Sequence, residues 1–141
     1  MTRKVLLTVD LGNEAANAGP LAAALDLVRD GGVLHVVSVL PDFGLAQVSG
    51  YFRKGFEKEA LSGLGKALTE WVNTHVPDVV DAHPHVLHGT IYDEILRAAD
   101  RLQVDVIVIG SHRPELKDYL LGPNAARVVR HARQSVFVVR T

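Results

Sequence analysis

The chain has 141 residues, of which 48% are hydrophobic, and this is enough for one domain with a sizeable core. Its 15 basic and 16 acidic side chains nearly cancel, and no block of like charge stands out, which argues against a nucleic-acid partner. The chain has no cysteine, which excludes disulfides, thiol catalysis and cysteine-ligated zinc. No apolar run approaches the roughly 20 residues of a membrane span, and the N-terminus lacks a signal-peptide pattern. We therefore expect a single domain over residues 1–141, located in the cytoplasm and without a membrane partner.

The N-terminal segment predicts a buried strand followed by an irregular helix. Residues 4–10 (KVLLTVD) form an apolar run that is typical of a parallel strand buried on both faces, and the run ends in the carboxylate of Asp10. Residues 13–30 place apolar side chains at helical spacing, and two glycines end that pattern. A proline inside a helix costs about 3 kcal/mol, so we expect this helix to bend near Pro20 or to begin there.

The middle of the chain predicts a second strand, a long connection, a regular helix and an edge strand. Residues 33–40 are nearly all apolar, whereas residues 41–54 show no periodicity. An apolar stripe at four-residue spacing predicts a helix over 55–74. Residues 79–87 alternate weakly, and Pro84 cannot donate a ladder hydrogen bond, so this strand belongs at a sheet edge.

A turn at His88-Gly89 leads into the next helix and strand. Thr90 is a good N-cap for a helix over 91–102, whose buried stripe contains isoleucine, leucine and alanine. The following run, 104–109, is the most uniformly apolar of the chain, which predicts that it occupies the centre of the sheet.

The C-terminal segment completes a parallel strand–helix–strand unit. A polar loop over 111–121 precedes Gly122, which opens an amphipathic helix, and residues 136–140 form the last strand. Five strands separated by helices define an α/β domain with a mostly parallel sheet. In such sheets the ligand site lies at the carboxyl ends of the strands, where the strand order reverses.

Two residues at strand ends are candidates for this site. Asp10 can accept hydrogen bonds from a ribose or an adenine amine, or it can cap the following helix. Gly110 either lets a ligand contact the backbone or simply ends its strand. The sequence leaves both pairs of alternatives open.

The polar loop and the helix start after it suit phosphate oxygens. The loop offers a hydroxyl, an imidazole and two cations, from Ser111, His112, Arg113 and Lys117. Glycine at the N-cap and proline at the first helical position form a recognised helix entry, and Asn124 adds an amide near its positive end. Pro123 removes one N–H from this site.

The seven histidines do not form a recognised metal motif. His83 and His85 share one face of the edge strand without an obvious third ligand, so we predict no metal site and interpret them as surface residues. His35 lies within an apolar strand and is interpreted as a core residue. No nucleophile, general acid or catalytic residue is nominated by the sequence.

Several segments together resemble the universal stress protein family over essentially the full chain: VLLTVD, LHVVSV, GTIYDEILRAAD, VDVIVIGSHRP, LLGPNAARVVRHA and SVFVVR. The pattern GSHRP followed by YLLGPNAARVVRHA is most similar to the F/G-type, nucleotide-binding branch. The resemblance implies a Rossmann-like (adenine nucleotide alpha hydrolase-like) sheet of order 3-2-1-4-5. It also implies a homodimer through the last strand, by way of Val136, Val138 and Val139.

The resemblance further implies a crevice for an adenine nucleotide, namely ATP, ADP or AMP, with Mg²⁺ accompanying ATP. The implied adenine and ribose contacts are Asp10, the backbone of Val36, Ile109 and Gly110. The implied phosphate contacts are Ser111, Arg113, Gly122, Pro123 and Asn124.

The chain departs from the ATP-binding pattern of that family, which begins GxxG and continues after nine residues with Gly-Ser or Gly-Thr. Arg113 stands where the second glycine would be, the spacer is one residue short, and Pro123 replaces the hydroxyl residue. Proline lacks both the hydroxyl and the N–H, which disfavours a tightly held triphosphate over adenosine, AMP or ADP.

Three hypotheses follow. The first is a dimeric stress-response sensor or regulator that binds an adenine nucleotide and passes its occupancy to protein partners. The second is a dimeric interaction module without a nucleotide. The third is a slow ATP hydrolase or phosphotransferase, which ranks last because no water-activating base is evident.

Overall fold

Five parallel strands form the centre of the structure, a computed structural model that describes residues 3–41, 54–111 and 122–141. The strands are, in chain order, β1 (Lys4–Thr8), β2 (Val33–Pro41), β3 (Asp81–Gly89), β4 (Val106–Ser111) and β5 (Ser135–Arg140). They are arranged in the order β3-β2-β1-β4-β5, and every neighbouring pair is parallel. The predicted α/β class and the 3-2-1-4-5 order are confirmed.

In the described ranges, four α-helices cover the two faces of the sheet. They are α1 (Ala18–Leu27), α2 (Lys54–His75), α3 (Ile91–Leu102) and α4 (Pro123–His131), and a short 3-10 helix (Glu14–Ala16) precedes α1. The alternation of side chains along a strand separates two cores: Leu7 packs with α1 and α2, whereas its neighbour Leu6 packs with α3 and α4. No helix in these described ranges is both long and apolar enough to cross a membrane.

The irregular start of the first helix is confirmed. The 3-10 helix gives way to α1 at Ala18, so Pro20 falls in the first turn, where a backbone N–H has no intrahelical partner to lose. The predicted end at residue 30 is wrong: α1 ends at Leu27, because the N–H groups of Gly31 and Gly32 both bond the carbonyl of Val28 and close a turn.

Helices α2, α3 and α4 agree with their predicted positions. The predicted helix over 91–102 is confirmed, with Thr90 at the N-cap position, although its side chain makes no cap hydrogen bond. Gly122 is the N-cap of α4 and Pro123 its first residue, as predicted. The regular helix predicted over 55–74 extends by one residue at each end.

Several strand boundaries differ from the prediction. The edge position of β3 is confirmed, but β3 runs to Gly89, so the predicted turn at His88-Gly89 is wrong: these residues pair with Leu40 and Pro41 of β2. The central strand is β1 rather than β4. β4 starts at Val106 instead of 104, because Gln103 ends α3 in a left-handed conformation and two residues are needed to re-enter the sheet.

Candidate functional site

A cavity of about 590 Å³ lies at the carboxyl ends of β1, β2 and β4. The strand order reverses here, because β2 and β3 lie on one side of β1 whereas β4 and β5 lie on the other. Open α/β sheets bind ligands at such a switch point. The volume is within the range of small-molecule sites. Six of the residues predicted for the site line the cavity: Asp10, Ile109, Gly110, Gly122, Pro123 and Asn124.

Asp10 is held in place by the side chain of Asn17. The Asp10 N–H donates to Asn17 Oδ1 at 2.9 Å, and Asn17 Nδ2 donates to the Asp10 carbonyl at 2.8 Å. The Asp10 carboxylate also accepts a hydrogen bond from the Gly12 N–H at 2.9 Å. Asp10 therefore stabilises the turn before α1 without capping that helix, and it lines the cavity.

Asn17 is the important residue that the sequence analysis missed. It occupies the N-cap position of α1, but its side chain makes no cap hydrogen bond and instead reaches back to Asp10. It is only 4% exposed and lines the cavity. The available signal was an asparagine near the start of the helical pattern, because asparagine is favoured at N-caps.

Gly110 is a point of close packing rather than the end of its strand, since β4 continues to Ser111. A Cβ atom at Gly110 would lie 3.2 Å from Pro20 Cγ and 3.4 Å from Thr141 Cγ2. Thr141 in turn donates from its N–H and its hydroxyl to the Ser111 carbonyl, at 3.3 and 3.0 Å. The missing side chain therefore lets the start of α1 and the C-terminal residue converge beside the cavity.

The N-terminus of α4 is turned towards the cavity. Its N-cap Gly122, Pro123, Asn124 and Ala125 all line it, and the first turn contains no acidic side chain. The first N–H groups of a helix have no intrahelical partner, and the helix dipole makes this end positive. An anion in the cavity would face donors and a favourable field.

Two of the remaining predicted residues, Val36 and Ser111, do not line the cavity. Val36 is fully buried in the core against α1 and α2, and its neighbours Val37, Ser38 and Val39 line the cavity instead. Ser111 is 2% exposed and does not line the cavity. Arg113 is outside the described residues, as is most of the predicted polar loop.

The other wall of the cavity is apolar. It includes Val37 and Val39 of β2 and Ile95 of α3, which belong to the core between the sheet and helices α3 and α4. Thr8 and Ser38 add hydroxyl groups near the strand ends. The cavity thus offers an apolar surface, hydroxyl and carboxylate acceptors, and the positive end of a helix.

A doubly wound α/β domain with a crevice at its switch point defines the structural class of this protein. The model of the universal stress protein family matches residues 1–140, and the chain belongs to that family.

The curated relatives and the solved structures agree with this assignment. The chain is 32% identical to universal stress protein G of Shigella flexneri, in an alignment that covers 99% of this chain and 100% of the relative. Its fold is similar to that of a universal stress protein in complex with cAMP, with a TM-score of 0.60, 21% identity, and coverage of 99% and 98% of the two chains. It is also similar to the universal stress protein of Archaeoglobus fulgidus in complex with dAMP, with a TM-score of 0.61, 22% identity, and coverage of 99% and 98%.

Proposed function

We propose that this protein binds an adenine nucleotide in the switch-point cavity and acts as a dimeric stress-response sensor or regulator. The observation that carries the proposal is that the Asp10 carboxylate and the N-terminus of α4 border the same cavity. A nucleotide has donors at its sugar and base and an anion at its phosphate, so it complements both groups. The complexes of two structural relatives with cAMP and dAMP support this choice of ligand.

The proposed arrangement follows the chemistry of the two walls. The adenine ring packs on the apolar wall beside Ile109 and Gly110, and the ribose hydroxyls donate to Asp10. The phosphate lies at Gly122 and Asn124, with Arg113, outside the described residues, as a further proposed contact, whereas the buried Ser111 is not retained. Val36 is not retained as a contact, because it is buried in an inner strand and does not line the cavity.

Pro123 sets the proposed preference among nucleotides. It supplies no N–H at the first position of α4, so the helix start has one donor fewer for a second or third phosphate. We therefore expect AMP to bind at least as tightly as ATP, with or without Mg²⁺.

The first test is to denature the purified protein, identify any released nucleotide by chromatography, and titrate the emptied protein calorimetrically with AMP, ADP and ATP. Release or saturable binding is expected. Failure to release or bind any of the three would contradict the proposal and favour the nucleotide-free interaction module.

The site itself is tested by Gly122→Phe. The φ of Gly122 is −61°, which any residue adopts, so the substitution fills the cavity without backbone strain and should abolish binding while the fold is kept. Gly63→Phe is the matched control, because a Cβ at Gly63 in α2 meets no atom within 4 Å. Unchanged affinity of the Gly122 variant would show that the ligand binds elsewhere.

The proposed dimer forms through β5, the last strand in the sheet order. In the described part of the chain β5 pairs with β4 on one side, and Val136, Val138 and Val139 are half-buried while Phe137 is 46% exposed. An apolar edge strand is normally covered. Phe137→Lys should yield a monomer by light scattering, whereas Val79→Lys, at a 92% exposed valine before β3, should not. A dimer that survives the Phe137 substitution would count against this interface.

A further inference from the structure

Three histidines form a cluster on the sheet face that carries α3 and α4. They are His35 of β2 and His83 and His85 of β3, and none of them lines the switch-point cavity. His35 is directly opposite His83, with ring centroids 5.5 Å apart, and its ring is 5.1 Å from that of His85. The interpretation of His35 as a core residue is wrong, because it is half-buried beside two other imidazoles.

The closest contact in the cluster joins two ring nitrogens. His35 Nδ1 and His85 Nε2 are 2.9 Å apart, close enough for a hydrogen bond between neutral rings. Imidazole nitrogens bind Zn²⁺ at about 2.0–2.1 Å, and other divalent first-row ions at similar distances, so two of them in adjacent, right-angled positions are roughly 2.9 Å apart. The pair therefore has the spacing of adjacent ligands on a tetragonal ion.

Both rings are available as ligands at neutral pH. Burial, with the neighbouring imidazoles of His85 and His83 and the cation of Lys4, lowers the pKa of His35 to about 4, although Asp81 opposes the shift. Burial, with His83 and Arg101, also lowers the pKa of His85. Neutral imidazole is the metal-binding form, so protons do not compete at pH 7.

The charges around the cluster are mixed. Lys4 from β1 and Arg101 from α3 are the cations that act on these rings, and they oppose a bound cation. Asp81 of β3 favours one, and it lies 2.8 Å from His83 Nε2. A modest rather than a tight site is the expected consequence.

We propose that His35 Nδ1 and His85 Nε2 bind one divalent transition-metal ion, Cu²⁺ or Ni²⁺, with water in the remaining positions. These ions favour imidazole nitrogen and tetragonal geometry. Over residues 3–41, 54–111 and 122–141, no three or more His, Asp or Glu side chains are arranged to hold a metal, so the site has two protein ligands. His83 lies beside them but is not a proposed ligand, because its Nε2 faces the Asp81 carboxylate.

The test uses the untagged protein and the metal salt alone. Titration with CuCl₂ or NiCl₂ at pH 7.5 should show one saturable site, and His35→Gln and His85→Gln should each weaken it at least tenfold. His131→Gln, at the exposed end of α4, is the matched control and should leave the affinity unchanged. No saturable binding, or binding that survives both substitutions, would overturn the proposal.

Electron paramagnetic resonance of the Cu²⁺-loaded wild-type protein gives a second readout that depends on no variant. Hyperfine splitting from two imidazole nitrogens is expected. A spectrum with oxygen ligands only would overturn the proposal and leave the His35–His85 contact as a hydrogen bond. Because these residues do not line the cavity, the result is independent of nucleotide binding.

Discussion

The contact between Asn17 and Asp10 gives the sharpest test of how the site is built. Asn17→Ala removes a buried side chain that makes two hydrogen bonds, at 2.9 and 2.8 Å, to the Asp10 backbone. Each such bond contributes about 0.5–1.5 kcal/mol net to the free energy of unfolding, and a buried donor or acceptor left without its partner adds a desolvation cost. The Asp10 carbonyl keeps a bond from the Asn13 N–H at 3.1 Å, so the loss is concentrated on the Asp10 N–H.

The expected cost of Asn17→Ala is therefore about 1–3 kcal/mol in the free energy of unfolding. For a domain of this size that corresponds to a fall of roughly 3–10 °C in Tm. Urea unfolding followed by circular dichroism measures the free energy. If the proposed nucleotide site is correct, the misplaced Asp10 should also weaken AMP binding about tenfold, since tenfold corresponds to about 1.4 kcal/mol.

Asn13→Ala is the matched control. Asn13 is the same residue type and lines the same cavity, but its side chain makes no cap hydrogen bond. Its substitution should change the free energy of unfolding by less than about 0.5 kcal/mol. An unchanged stability of the Asn17 variant, or an equal loss in the Asn13 variant, would show that the Asn17 side chain does not hold Asp10 in place.

Two further predictions concern stability. Gly32→Ala should destabilise the protein by more than about 2 kcal/mol in urea unfolding, because its Cβ would collide with the Arg3 carbonyl oxygen. Gly63→Ala, in open space within α2, should instead stabilise the protein by about 0.5–1 kcal/mol. Equal effects of the two substitutions would contradict the packing described. The pKa of His35 is lowered from 6.5 to about 4 in the folded protein, so the unfolded state binds more protons between these pH values. The stabilisation that comes from the neutral His35 ring is therefore complete above about pH 6.5 and is lost as the pH falls from there through 4. With chelator present, lowering the pH from 7 to 5 should cost wild type about 1 kcal/mol more than His35→Gln, after allowance for solvent screening, and identical pH profiles would contradict this.

The sheet was largely predictable because its signal is local. Uninterrupted apolar runs such as the one containing Leu6 and Leu7 identify strands buried on both faces, and Pro84 identifies the edge. The position of Asp10 after the first strand was enough to place it at the carboxyl end of the sheet. The start of β4 was not predicted, because Gln103 ends α3 in a left-handed conformation that is typical of glycine or asparagine.

The features that the sequence did not predict depend on register and on tertiary contact. His35 meets His83 only through the pairing of β2 with β3, and 48 residues separate the two in the chain. The Asn17 contact depends on the turn between β1 and α1, which a helical pattern does not specify. Both are side-chain contacts set by how the chain folds back, so residue spacing alone does not reveal them.

Binding of an adenine nucleotide in the switch-point cavity is tested by following backbone amides in ¹⁵N–¹H spectra while AMP is added to the emptied protein. Saturable shifts are expected at Asp10, Gly110 and Asn124, with little change at His83 on β3. Shifts confined to other parts of the chain, or none at saturating AMP, would contradict it.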